Sequence, residues 1–118
     1  MAQNFLLAED IDELINQKEK PVVIDFLQIS SVPCAMYAPR LAFAREKLEE
    51  LGLALFGTVD ISESQTVFDR FSVISVPTTL IFWQGEIVKQ YIGIQEPIVI
   101  IEAVYGILGK EMPKEEPK

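Results

Sequence analysis

Histidine is absent and cysteine occurs once, at Cys34, so two residue types that often carry catalysis or bind metals are nearly missing. Without histidine, the commonest general base near neutral pH and the commonest metal ligand are gone. With a single thiol, no disulfide closes within the chain and no cysteine-based metal site can be built from one copy. Basic residues are scarce as well: ten Lys and Arg stand against eighteen Asp and Glu, a formal charge of -8. Nucleic-acid binding needs clustered Lys and Arg facing phosphates, so that partner class is excluded, and the acidity reads as a solubility feature. Long apolar runs are missing too. The most apolar stretch, Ile98 to Leu108, is too short to span a bilayer and contains Glu102. The opening MAQNFLLAEDIDEL has neither a basic start nor a sustained apolar stretch, unlike a secretory signal. A cytoplasmic protein without membrane partner, metal or bound cofactor is expected.

What remains is ample core material: 49% of the 118 residues are apolar, enough for one domain. The expected domain covers residues 1–109, and the charged, Pro-containing stretch 110–118 is expected to be a flexible tail. Ile11, Leu14 and Ile15 fall at helical spacing over Asp10 to Gln17. Pro21 then introduces the β-branched run Val22-Val23-Ile24-Asp25-Phe26-Leu27, a buried strand. A long helix is predicted from Val32 to Leu51, with Gly52 as its stop, followed by a strand over Leu53 to Val59. Ser62 to Phe71 suits a third helix. Thr78 to Trp83 and Glu86 to Ile92, joined by Gln84-Gly85, read as a hairpin. Pro97 to Leu108 reads as a closing helix, although Ile98-Val99-Ile100-Ile101 also suits a strand. An edge strand is expected near Phe5. The order implies an α/β domain, a central mixed β-sheet flanked by helices on both faces.

This order, with Val22-Val23-Ile24-Asp25-Phe26, Ser31-Val32-Pro33-Cys34, Pro39, Val76-Pro77-Thr78, Gly85 and Gly93 in register, resembles the thioredoxin family over about residues 3 to 109. The resemblance implies a thioredoxin fold, Cys-Gly-Pro-Cys chemistry at residues 31–34, a buried aspartate at Asp25 and a cis proline at Pro77. The departures lie at the chemistry. Ser30 stands for the usual tryptophan, Ser31 for the first cysteine, Ala35 for a lysine after the second, and Phe56 about where a lysine lies near the aspartate.

Disulfide reduction in such a site needs an attacking thiolate and a second thiol to release the mixed disulfide. A serine hydroxyl is too weak an acid to take the first role without a base. Ser31 is therefore read as a helix N-cap, and the N–H of Cys34 is its natural donor because Pro33 has none. Cys34 is left as a monothiol in the resolving position. It either exchanges with a partner thiol, glutathione or an oxidant, or is an inert buried residue. Asp25 is by resemblance the base beneath Cys34 or, alternatively, a structural carboxyl at the sheet end.

Two surfaces suggest partners. Ile29, Val32, Ile74 and Val76 beside Pro77 would form an apolar groove for an extended peptide. On the last helix, Ile100, Ala103, Val104, Ile107 and Leu108 suffice to pack on the sheet. A second stripe, Ile94, Ile98, Ile101 and Tyr105, would be free for a homodimer or protein contact. Trp83 by the hairpin turn would extend an exposed patch. Two functions follow: a monothiol factor of cell redox homeostasis, not a self-sufficient dithiol reductase, or a non-catalytic binding module using the groove or last helix.

Overall fold

The apolar run after Pro21 forms the central strand of the protein, β1 (Val22–Leu27), which is buried along its whole length. The computed structural model describes residues 8–113, so the strand expected near Phe5 lies outside the described residues. β1 pairs in parallel with β2 (Leu55–Asp60) and antiparallel with β3 (Thr78–Trp83). β4 (Glu86–Ile92) completes the order β2-β1-β3-β4 at an edge. A parallel pair needs a long crossover, and α2 (Val32–Glu50) supplies it. The β3–β4 turn places Gln84 and Gly85 at φ +54° and +88°, the left-handed pair that matches the twist of a tight hairpin.

Strand periodicity sorts β1 between two cores. Val22, Ile24 and Phe26 face α1 (Ala8–Asn16) and α3 (Gln65–Arg70), packing with Ile11, Ile15, Val67 and Phe68. Phe26 and Phe68 meet edge to face at 5.1 Å between ring centroids. Val23 and Ile81 face the other way, against Ala44 and Leu48 of α2 and against Ile100, Ala103 and Val104 of α4 (Pro97–Leu108). The sheet is mixed and has helices on both faces. Asp25 shares the parity of Val23, so the one acidic residue of β1 is directed into the α2 side.

α2 ends where Gly52 adopts φ +69°. The Gly52 and Leu53 N–H groups bond to the Glu49 and Leu48 carbonyls, a Schellman closure. That closure takes Leu53 out of the sheet, so β2 begins at Leu55 rather than Leu53. α3 likewise starts at Gln65, three residues later than the earliest predicted position. Asp60 draws the Ser62 backbone N–H (3.2 Å) and hydroxyl (3.0 Å) into a turn instead.

The last helix corrects the expectation of a second free stripe. Ile94 lies in the loop before α4, Tyr105 is buried in the α2-side core, and Ile101 is half-buried against that core. Only Ile98 of the four is exposed. The helix is apolar nearly all round because α2 and the sheet cover a wide arc of it within the same chain. Trp83 is half-buried rather than part of an open patch. Among the described residues, no helix is long and apolar enough to cross a membrane.

Candidate functional site

β1 delivers the chain to the site and a turn hands it to α2. The Ser31 N–H bonds the Gln28 carbonyl at 3.0 Å, and Ser31 itself is extended at φ -79°, ψ 129°. Its hydroxyl accepts the Cys34 N–H at 3.3 Å, so Ser31 is the N-cap of α2. Pro33 sits in the first turn, where a missing N–H costs nothing. Cys34 is 5% exposed, and its Sγ accepts the Gln28 N–H at 3.4 Å. A backbone donor is thus aimed at the one sulfur of the helix N-terminus.

Behind Cys34 lies a cleft of about 620 Å³, bounded by β1 and β2 on one side and α2 on the other. Asp25, Tyr37, Arg45, Phe56, Thr58 and Pro77 line it together with Cys34. The β1–β2 register places Thr58 opposite Asp25, and the Thr58 hydroxyl donates to Asp25 Oδ1 at 2.9 Å. Asp25 Oδ2 is fully buried and has no hydrogen-bond partner among the described residues. Burial pushes the Asp25 carboxyl up from 3.8 to about 6, against the lowering effects of the Thr58 hydroxyl, its own backbone N–H and the Arg45 charge. Phe56 contributes an apolar ring to the β2 side of the cleft, and the nearby positive charge comes from Arg45 of α2. Arg45 also pairs with Glu49 one turn on, at 3.1 Å. Tyr37 and Thr79 share a buried hydrogen bond of 2.8 Å, and burial raises the phenol to about 12, leaving it a neutral donor or acceptor.

The structure brings Cys34, Asp25 and Pro77 into one cleft. The Val76–Pro77 peptide is cis, and the Pro77 carbonyl accepts the Gly93 N–H at 2.8 Å. Ile29, Val32 and Ile74 lie outside the cleft, at 65%, 69% and 93% exposure. They belong to the turn after β1, the start of α2 and the loop before β3, which meet at one end of the sheet because Phe26 pairs with Thr78. Val76 departs from the expected groove wall: it is half-buried and packs against the core of Phe26 and Phe68. Arg45, Thr58 and Tyr37 join the cleft without being marked in the sequence. No local signal marks them: Thr58 meets Asp25 only through the β1–β2 register, and Arg45 lines the cleft only through the packing of α2. Among the described residues, no group of three or more His, Cys, Asp or Glu is arranged to hold a metal ion.

A mixed sheet between two helical layers, with a single thiol capped at the start of the crossover helix and a buried carboxyl behind it, defines the class: a thioredoxin fold with half of its usual sulfur. The chain belongs to the thioredoxin family, whose model, described as Thioredoxin, matches residues 3–105. It is similar to the thioredoxin of Alicyclobacillus acidocaldarius subsp. acidocaldarius, with 35% identity over 80 residues, 67% of this chain and 73% of that one. It is also similar to the mitochondrial thioredoxin of Mus musculus, 30% identical over 89 residues, spanning 74% of this chain but only 51% of that protein. Among solved structures, the Fasciola hepatica thioredoxin superposes with a TM-score of 0.74 at 25% identity, covering 84% of this chain and 92% of that one.

Proposed function

We propose that this protein is a thioredoxin-like redox factor that works through one thiol, forming a mixed disulfide at Cys34 and needing a thiol from another molecule to resolve it. The observation that carries this reading is the shared cleft of Cys34 and Asp25, with Asp25 Oδ2 unpartnered among the described residues. A carboxyl with a pKa of about 6 is divided between its two protonation states near neutrality, so it can take the thiol proton and return one. In the exchange step, the Cys34 sulfur attacks a disulfide, one S–S bond forms as another breaks, and the leaving thiolate departs with the electron pair. Ser31 cannot continue the sequence, because a hydroxyl does not displace a thiolate from sulfur. The second thiol comes from a partner, and a reducing cytoplasmic setting would supply it.

The exposed rim supports a second reading, a docking module for a peptide or protein. Ile29, Val32 and Ile74 place apolar side chains in solvent at the site end of the sheet. The two readings separate by mass spectrometry of the native chain after treatment with oxidised glutathione. One glutathione adduct on the Cys34 peptide is expected for the redox factor, slowed at least tenfold by Asp25→Asn. An unmodified native thiol, labelled only after unfolding, would leave the docking module.

A further inference from the structure

Cys34 is nearly closed to the rim on which a protein disulfide would dock, yet it forms part of the wall of the cleft behind it. Attack on a disulfide demands that the thiol sulfur line up with two further sulfurs, a demanding geometry around a residue 5% exposed, and one that a smaller oxidant eases. A molecule of two heavy atoms needs far less exposed sulfur. Cys34, Asp25 and Arg45 line one cleft of about 620 Å³, and within it Asp25 Oδ2 has no hydrogen-bond partner among the described residues. A buried carboxyl oxygen without a donor is costly unless a ligand or a proton completes it.

We infer that this cleft is the site at which a hydroperoxide, with hydrogen peroxide as the simplest case, oxidises Cys34 to a sulfenic acid, with Asp25 as the proton carrier. Asp25 accepts the thiol proton, and the sulfur attacks one peroxide oxygen. The S–O bond forms as the O–O bond breaks; the sulfur is oxidised by two electrons and the peroxide is reduced. The departing hydroxide takes the proton from Asp25 and leaves as water. A hydroxide is a far poorer leaving group than a thiolate, so peroxide cleavage gains more from a positioned acid than disulfide exchange does. The sulfenic acid condenses with a small thiol to give a mixed disulfide and water. The inference rests on the monothiol reading and supplies the oxidant for it.

The experiment treats the reduced full-length chain with hydrogen peroxide in the presence of dimedone and follows the adduct on the Cys34 peptide. The same chain in guanidinium chloride supplies the rate of an unstructured thiol. Native labelling at least tenfold faster than unfolded labelling is expected, whereas a thiol that is merely buried labels more slowly when native. Asp25→Asn, with folding checked by circular dichroism, should lose at least tenfold of the native rate. Ala42→Trp, at an exposed position on the cleft wall, should slow peroxide labelling while leaving the melting temperature in place. A native rate below the unfolded one, or no effect of both substitutions, overturns the inference. Glutathione labelling in the companion experiment, with peroxide labelling absent, would sink this oxidant and leave the monothiol function standing.

Discussion

Replacing Asp25 by asparagine should make the protein more stable at neutral pH, although it removes a residue of the candidate site. In the unfolded chain the carboxyl titrates near 3.8, and in the folded protein near 6. Between these values the folded state holds a proton that the unfolded chain has released, so stability falls as pH rises through the window. A shift of about two units at about 1.4 kcal/mol each amounts to roughly 3 kcal/mol, present as a penalty above about pH 6 and absent below about pH 4. Against a total of about 5–15 kcal/mol for a domain, that is a large fraction. Asparagine keeps an oxygen for the Thr58 hydroxyl and carries no charge at any pH. Urea unfolding of both proteins at pH 4 and pH 8 gives the difference directly, because every other carboxylate titrates in both and cancels. The variant should gain up to about 3 kcal/mol at pH 8 and little at pH 4. Equal differences at the two pH values would refute the reasoning, since they would mean that Asp25 ionises in the folded state as easily as in water.

Other substitutions test single contacts. Ser31→Ala removes the hydroxyl that caps α2 and should cost about 1 kcal/mol in thermal or urea unfolding. Tyr37→Phe leaves the buried Thr79 hydroxyl without its partner and should cost about 1–2 kcal/mol by the same measurement. Tyr105→Ala should destabilise the chain by about 3 kcal/mol because that ring is core. Ile98→Ala, on the exposed side of the same helix, should change stability by less than about 0.5 kcal/mol, and near-equal losses at the two positions would contradict the assigned helix face.

The fold was legible because its signals are local. Pro21 before a β-branched run, Gln84-Gly85 between two strands, Gly52 after a helix and Pro97 at the start of the last one each act within a few residues. Errors arose where a local signal met a distant or competing partner. The run at Ser62 looked like a helix start until Asp60 claimed both its donors. The last helix looked too apolar for one contact face because a sequence does not show how wide an arc α2 and the sheet cover. At the site, Ser31 as a cap and Asp25 beside Cys34 could be read from the resemblance to a family pattern and from helix chemistry. Thr58 and Arg45 could not, because the first bonds Asp25 across a strand register and the second lines its cleft through a helix packing that no short window contains.

Pro39 lies within α2 between the turn that carries Cys34 and the turns that carry Arg45 and Glu49. Its ring offers no N–H to the carbonyl of Ala35, one turn earlier, so the helix is weakest in bending there. The later turns are fastened to the sheet by Ala44 and Leu48, and the stretch before Pro39 by the buried Tyr37 hydroxyl on Thr79, with Ser31 and Gln28 holding the cap. α2 is therefore pinned to the sheet on both sides of its weakest point. The spacing of thiol and carboxyl is left to the pins of the short arm, whereas the long arm answers to the core it anchors.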